Sequence, residues 1–215
     1  MSWQQEWKLT PQRAAIHLAT ATAVIADLHL GYGEARRRRG EAVPERSVDS
    51  VLAPLEALIR NETVEGLVIA GDLMETGRSA PIIEALLQWI SAQPIELLGI
   101  VPGNHDRGIE QCSDRLPIMA EMRLGDWIVV HGDKALPLGR VVQGHVHPCL
   151  RHPRFGSQVC YLVQEEHLVL PAFTQDAAGV NVLRQREWSD HECHVIVGEK
   201  VLNFGSPKHV SAYVS

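Results

Sequence analysis

The apolar run LLGIVP at residues 97–102 is followed at once by the polar residues GNHD at 103–106. The run has the length and composition of a buried β-strand, and the glycine at its end favours a tight turn. A turn at the carboxyl end of a buried strand holds polar side chains over the edge of a sheet. Asn104, His105 and Asp106 would offer an amide oxygen, an imidazole and a carboxylate there. The stretch therefore predicts a functional site at the end of a central strand.

Four other apolar runs end in similar polar residues. They are ADLHLG at 26–31, AGDL at 70–73, VHGD at 130–133 and QGHVHP at 143–148. Residues i and i+2 of an extended chain point to the same side, so Asp27 and His29 can bind one ion together. The five stretches together predict that several strand ends meet at one site.

The composition argues against a protein that binds nucleic acid through its overall charge. The chain has 215 residues, 45% of them hydrophobic, and a formal net charge of −6. Bound metal ions could still supply positive charge locally. The four cysteines form no C-x-x-C pair, so neither a cysteine zinc site nor a disulfide framework is expected. With no signal-peptide core and no apolar run of about 18 residues, we expect a cytoplasmic protein without a membrane contact.

The order of the predicted elements indicates an α/β fold. In the first half, apolar runs typical of strands alternate with amphipathic helices at 47–60 and 81–91, and Pro54 could kink the first helix. Later runs are short and separated by tight turns, which predicts antiparallel sheet. These runs lie at 159–163, 167–170, 179–183, 194–197 and 200–204. Because no linker or repeat interrupts the chain, we expect residues 1–215 to form one domain with two sheets.

The polar strand ends supply carboxylates, an amide oxygen and imidazoles, but no thiolate. This mixed set suits Mn, Fe, Zn, Co or Ni better than Ca. It is too large for one transition-metal ion, whereas two ions about 3.5–4 Å apart could share a carboxylate and clamp a phosphoryl oxygen. The candidate ligands are Asp27, His29, Asp72, Asn104, His131, His145 and His147.

The order D-x-H, G-D, G-N-H-D, H-G, G-H-x-H resembles that of the calcineurin-like metallophosphoesterases. The resemblance spans residues 27–147 and implies two packed mixed β-sheets flanked by helices, a four-layer αββα sandwich. It also implies phosphoester hydrolysis by a hydroxide that bridges two divalent ions, with Mn²⁺ the expected metal and Fe, Zn, Co and Ni the alternatives. One ion would be bound by Asp27, His29, Asp72 and His147, and the other by Asp72, Asn104, His131 and His145.

The same resemblance implies a catalytic role for His105. This residue would stabilise the phosphoryl transition state or protonate the leaving oxygen without binding a metal. Many members orient this histidine with the second aspartate of a G-D-x-x-D motif. Glu75, one methylene longer, stands at that position here, and Asp106 could share the task. The predicted catalytic group is therefore His105, Asp106 and Glu75.

Shorter motifs are similar to those of one cytoplasmic subgroup of the family. They are DLHLGY at 27–32 before an Arg-rich turn, GHVHP at 144–148 and LPAF at 170–173. Some members of this subgroup, which has archaeal relatives, are encoded with an ATP-dependent DNA ligase and a helicase, and the subgroup is usually described as nuclease-like and linked to DNA repair. Nucleic acid is then the expected substrate, and a DNA ligase or helicase the expected partner. The cluster Arg36, Arg37, Arg38 and Arg39 would contact substrate phosphates, or else form a solvated helix face.

The sequence leaves two other functions open. The same chemistry could act on a small phosphomonoester, a cyclic nucleotide or a nucleoside diphosphate derivative, which the negative net charge favours slightly. The chain could also be a scaffold that has lost catalysis, like the phosphoesterase-fold subunit of the retromer coat. Such scaffolds usually lack ligands or the catalytic histidine, and this chain has all of them.

Overall fold

The first sheet is built from the apolar runs of the N-terminal half. The computed structural model describes residues 2–153 and 156–214. Within these ranges five strands form the sheet, namely β1 (Trp7–Leu9), β2 (Ala15–His17), β3 (Thr22–Ile25), β4 (Gly66–Ala70) and β5 (Glu96–Val101). They lie side by side in chain order; β3, β4 and β5 are parallel, whereas β1 and β2 join the sheet antiparallel. The carboxyl ends of the parallel strands therefore meet at one edge.

Two long helices pack on one face of this sheet. The helices of the N-terminal half are α1 (Trp3–Glu6), α2 (Tyr32–Arg38), α3 (Val48–Asn61) and α4 (Ala80–Ser91). The Ser47 side chain caps α3 by accepting a hydrogen bond from the Ser50 backbone N–H, and α3 continues through Pro54 to Asn61. Among the described residues, no helix has both the length and the apolar character needed to cross a bilayer.

The second sheet contains the later strands of the chain. Nine described strands belong to it: β6 (Met122–Leu124), β7 (Trp127–Val130), β8 (Arg140–Gln143), β9 (Pro148–His152), β10 (Gly156–Gln164), β11 (His167–Val169), β12 (Val180–Asn181), β13 (Glu192–Val197) and β14 (Lys200–Asn203). The order is β12-β9-β10-β11-β8-β7-β6, and β13 lies between β10 and β14. The sheet is mixed, because β8 is parallel to β7 and β11, whereas β10 is antiparallel to each of its neighbours.

Side chains alternate between two cores along the central strands. In β3, Ala23 and Ile25 join the core shared with α3 and α4, whereas Val24 joins the core between the two sheets. The strand β4 repeats this pattern. Both faces of these strands are thus buried, which explains why the corresponding runs are apolar without interruption.

A thin outer layer covers the other face of the second sheet. Buried residues of β9, β10, β11 and β13 pack there against Val182 in a short 3₁₀ turn and Val210 in α5 (Pro207–Val214). The layer order is therefore helix, sheet, sheet, helix, which confirms the predicted α/β class with two packed mixed sheets. The sequence analysis did not predict α5, and the assignment of residues 1–215 to one domain stays a prediction.

The predicted strand at 179–183 is present only in part. Val180–Asn181 pair with β9, and in parallel rather than antiparallel orientation. The chain then enters the 3₁₀ turn Val182–Arg184, because the Asn181 side chain accepts a hydrogen bond from the Leu183 backbone N–H. A side-chain cap of this kind ends strand pairing by supplying the backbone with another partner.

A pair of histidines, of which His191 is buried and His167 is half-buried, lies at the edge of β11. His191 Nε2 and His167 Nδ1 are 3.0 Å apart, and the Trp188 ring packs against both imidazoles. Burial, together with the neighbouring His191 ring, lowers the pKa of His167 to about 4. Burial also lowers the pKa of His191. The folded protein therefore favours a neutral pair.

We expect this pair to make stability depend on pH. The pKa of His167 lies near 4 in the folded state and near 6.5 in the unfolded chain. The stability that the neutral ring contributes is therefore complete above about pH 6.5, and it is lost as the pH falls toward about 4. His167→Gln removes the titration. Its free energy of unfolding, measured by urea denaturation, should fall less steeply over this window, by up to about 1.4 kcal/mol per pH unit. The free energies of unfolding of the two proteins should depend on pH in the same way between about pH 7 and 8. Equal slopes of this free energy against pH between about pH 4 and 6.5 would contradict the lowered pKa of His167.

Candidate metal centre

The backbone is strained at most of the candidate ligands. Five of them have positive φ angles: 56° at Asp27, 48° at His29, 45° at Asp72, 67° at His145 and 50° at His147. A non-glycine residue in this left-handed region costs about 1–2 kcal/mol. The surrounding structure must therefore hold each of these residues in place.

Hydrogen bonds between two loops hold the ligands of the first sheet. The loop after β3 runs beside the loop after β4. The Asp27 N–H donates to the Gly71 carbonyl at 3.0 Å, and the His29 N–H donates to the Asp72 carbonyl at 2.9 Å. These bonds continue the parallel pairing of β3 and β4 beyond the strands. Asp27, His29 and Asp72 are thereby fixed side by side.

Glycines stand directly before candidate ligands because no side chain fits there. A Cβ at Gly103 would lie 2.2 Å from Asp72 Oδ1, and one at Gly144 would lie 2.7 Å from Asp27 Oδ2. Both distances are far inside van der Waals contact. The sequence predicted only a turn at Gly103 and no role for Gly144, so the steric part of both glycines in the site was missed. The available signal was a glycine immediately before the polar residues in G-N-H and G-H.

One group of candidate ligands consists of Asp27, His29 and His147, whose ligand atoms all lie within 4.8 Å of one another. His147 Nε2 is 3.5 Å from Asp27 Oδ2. The Nε2 atoms of His29 and His147 are buried and have no hydrogen-bond partner among the described residues. Burial also lowers the pKa of His29, which keeps its ring neutral and leaves a lone pair for a ligand. A metal ion would satisfy both nitrogens.

A second group consists of Asp72, His131 and His145, again with ligand atoms within 4.8 Å of one another. His131 Nε2 lies 3.5 Å from Asp72 Oδ2, 3.2 Å from His145 Nδ1 and 3.3 Å from the amide oxygen of Asn104. A single ring proton cannot satisfy three acceptors at once, whereas a cation at their centre can attract all of them.

Asp72 lies between the two groups. Its Oδ2 is 3.9 Å from His29 Nε2 in the first group and 3.5 Å from His131 Nε2 in the second. Its Oδ1 accepts a hydrogen bond from the His105 backbone N–H at 2.9 Å. This is the place that a carboxylate shared by two ions requires. The structure thus brings all the predicted ligands together, and their oxygen and nitrogen donors fit two divalent transition-metal ions.

Glu75 contacts two histidines through different atoms. Its Oε2 is 2.9 Å from His29 Nδ1 and 3.9 Å from His105 Nδ1. Its backbone carbonyl lies 2.7 Å from His105 Nδ1 and accepts the hydrogen bond from that nitrogen. The carbonyl therefore orients His105, whereas the carboxylate lies beside His29 without the geometry of a hydrogen bond. The bond to the carbonyl places the hydrogen of His105 on Nδ1 and leaves its Nε2 free for chemistry, and the charge of the nearby carboxylate favours the same tautomer of His29.

Asp106 holds the loop of His105 rather than its ring. Its buried carboxylate accepts backbone hydrogen bonds from Leu73 at 3.1 Å, Met74 at 2.8 Å and Gly103 at 2.9 Å. Burial raises the pKa of this carboxyl group, and the three N–H donors oppose that shift. These contacts correct the prediction that Asp106 orients the imidazole of His105. They join the loop after β4 to the loop after β5.

The predicted arginine cluster divides into two parts. Each of the first three arginines pairs with a glutamate: Arg36 with Glu41, Arg37 with Glu45 and Arg38 with Glu34. The Arg39 side chain forms no ion pair or hydrogen bond with the described part of the chain, and it lines a cleft that contains His105. The helix-face interpretation therefore fits three arginines, and only Arg39 faces the candidate site.

A comparison with protein families identifies the chain. The family model for calcineurin-like phosphoesterase matches residues 21–194 of the chain. The chain belongs to the calcineurin-like phosphoesterase family. Members typically bind two divalent metals, and the ligand groups around Asp72 are candidates for that role in this phosphoesterase. The protein is therefore a metal-dependent phosphoesterase.

Solved structures with a similar fold include the nuclease MPE of Pseudomonas putida. The similarity covers 92% of this chain and 94% of that chain, with 22% sequence identity and a TM-score of 0.72. Vps29 of Chaetomium thermophilum matches over 86% of this chain and 97% of its own, with 17% identity and a TM-score of 0.38. No curated protein sequence matches the chain. The likeness to the nuclease shows a shared fold.

Gly103→Ala should weaken metal binding. The added Cβ would press on Asp72 Oδ1 and would lie 2.8 Å from His131 Nε2, so both candidate ligands would be displaced. We expect the affinity for Mn²⁺ to fall by about ten-fold or more in calorimetric titration of metal-free protein. Gly99→Ala in β5 is the matched control, because its Cβ would meet the flexible Met119 side chain, which can shift. Equal affinities for the two variants would contradict the steric argument.

Glu75→Ala should raise the metal concentration needed for half-maximal activity by about 10–100-fold, because His29 loses the carboxylate that lies 2.9 Å from its Nδ1. Glu75→Gln should recover only part of this loss, since an amide keeps an oxygen near Nδ1 but removes the negative charge. The maximal rate at saturating metal should change less, because the backbone carbonyl still orients His105. A lower maximal rate with an unchanged metal requirement would show that the side chain acts on His105 instead.

Proposed function

We propose that the protein hydrolyses phosphodiester bonds in nucleic acid with two divalent ions, foremost Mn²⁺. The observation that carries this proposal is the convergence of two three-residue ligand groups on Asp72, with His105 held beside them. Two cations at such a site would bind the charged oxygens of a phosphoester.

Each residue of the site has a part in this reaction. When bound, the ions would activate water as Lewis acids and neutralise charge on the phosphoryl oxygens. The His105 side chain is 37% exposed and can reach a substrate, and its contact with the Glu75 carbonyl leaves Nε2 as the proton donor of the charged ring. Hydrolysis forms a bond from phosphorus to the water oxygen and breaks the bond from phosphorus to the leaving oxygen. His105 gives its proton to the leaving oxygen, and a proton released from water restores the charged ring.

Several observations favour nucleic acid as the substrate. The motifs at 27–32, 144–148 and 170–173 are similar to those of nuclease-like family members. A nuclease, MPE of Pseudomonas putida, has a similar fold. Arg39 adds an exposed cation beside His105 that could contact a phosphate. By the same resemblance the protein would act in the cytoplasm, with a DNA ligase or helicase as partner.

A small phosphoester is the second candidate substrate. The net charge of −6 favours it, because a polyanion is repelled by an acidic protein more strongly than a small anion is. The chemistry at the metal centre would be the same for both substrates.

The test is hydrolysis of labelled single- and double-stranded DNA by metal-stripped protein reloaded with Mn²⁺, with a bis-aryl phosphodiester run in parallel. We expect cleavage of DNA that requires the metal and falls by about 10²–10⁴-fold in His105→Ala. His152→Ala is a matched histidine control, because His152 ends β9 and is no part of the ligand groups.

The other outcomes separate the candidates. Turnover of the small diester with intact DNA would contradict the nuclease proposal and leave a phosphoesterase for small substrates. No turnover of either substrate by the metal-loaded protein would favour a non-catalytic scaffold.

A further inference from the structure

A cleft of about 350 Å³ opens beside the proposed proton donor. Its lining includes Asn104 and His105 from the loop after β5, and Thr76 from the loop after β4. Two arginines, Arg39 and Arg107, complete this part of the lining. Because the cleft contains Asn104, whose amide oxygen lies 3.3 Å from His131 Nε2 in the second ligand group, a substrate bound at the metal centre would extend into it.

Both arginines carry positive charge that the protein itself does not neutralise. They are exposed, and neither side chain forms an ion pair or hydrogen bond within the described ranges. Glu75, the carboxylate of this lining, is only 8% exposed and is in contact with His29. An arginine fork matches the oxygens of a phosphate, and two adjacent forks favour a dianion or a polyanion.

The cleft next to the first ligand group differs. It has a volume of about 260 Å³ and contains His147 together with Arg13 and Arg151. Both guanidinium groups are held by backbone carbonyls, since Arg13 donates to Thr174 at 2.6 Å and Arg151 donates to Gly179 at 3.3 Å. Of these two clefts, the one beside His105 therefore holds the arginines whose side chains have no hydrogen-bond partner within the described ranges.

We infer that Arg39 and Arg107 bind the phosphate that follows the scissile bond on the leaving side of a nucleic-acid strand. The inference rests on the proposed function, in which His105 protonates the leaving oxygen. The part of the strand attached to that oxygen must then pass His105 and enter the cleft that holds the two arginines. A lone phosphodiester carries no second phosphate and cannot use this contact. This contact between the two arginines and a second phosphate would make the enzyme prefer a polynucleotide despite the negative net charge of the protein.

The first test compares two substrates of the Mn²⁺-loaded full-length protein, a short single-stranded DNA and a bis-aryl phosphodiester. In Arg39→Gln and in Arg107→Gln, the ratio of kcat/KM for DNA to kcat/KM for the small diester should fall by about ten-fold. The dependence of DNA affinity on salt should also weaken, by about 0.7 in log–log slope for each lost phosphate contact.

Matched controls remove the same charge elsewhere. Arg115→Gln and Arg60→Gln delete arginines that pair with Glu84 and Glu56 on the surface. Both should keep the wild-type ratio. An unchanged ratio in the Arg39 and Arg107 variants, or an equal fall in the controls, would overturn the inference while wild-type cleavage of DNA still supported the proposed function. A wild-type protein that cleaves only the small diester would overturn both.

The second test locates the bound phosphate. The thymidine dinucleotide with one phosphodiester is compared with the same dinucleotide carrying an added phosphate at its 5′ end or at its 3′ end. We expect the wild-type protein to cleave one of the two phosphorylated forms about ten-fold faster than the parent, and the advantage to disappear in Arg39→Gln and Arg107→Gln. No advantage for either form, or an advantage that survives in both variants, would overturn the inference.

Discussion

The candidate metal centre depends on hydrogen bonds that extend the pairing of β3 and β4 into the loops beyond them. These bonds hold Asp27 and Asp72 at positive φ angles that isolated turns would not favour. Asp106 connects the loop after β5 to the loop after β4, because its carboxylate accepts hydrogen bonds from N–H groups of both loops. The three loops form one backbone unit, so Asp27, His29, Asp72 and Asn104 take their positions from contacts that involve the main chain. Preorganisation of this kind keeps repelling carboxylates together before any cation arrives.

The replacement of the family's usual aspartate by Glu75 divides one task between two groups. The longer side chain reaches past His105 to His29, and the backbone carbonyl takes over the contact with His105. One residue thus fixes the tautomer of the proposed proton donor through its carbonyl and favours one tautomer of a candidate ligand through its charge. A change at this position would act on both rings, although through separable atoms.

The resemblance to the calcineurin-like family implied the layer order. The candidate ligands could be predicted from the polar ends of the apolar runs, because buried parallel strands bring their ends to one edge of a sheet. The positive φ angles of the candidate ligands could not be predicted from the sequence. The φ angle of His145 is set partly by the hydrogen bond from its N–H to Asp27, which is remote along the chain. The choice between side chain and carbonyl at Glu75 depends on a rotamer that no local pattern encodes. The pairing of three arginines with glutamates likewise depends on where α2 and the following loop lie.

Each ligand group draws on both sheets. Asp27 and His29 follow β3 and meet His147 from the loop after β8, whereas Asp72 follows β4 and meets His131 after β7. An ion in either group would therefore act as a cross-link over the core between the sheets. Since binding to the folded state alone adds RT ln(1 + [L]/Kd) to stability, metal affinity and the cohesion of the two sheets would be linked as one thermodynamic quantity. Metal supply in the cell would then set how long the folded enzyme survives as well as how fast it works.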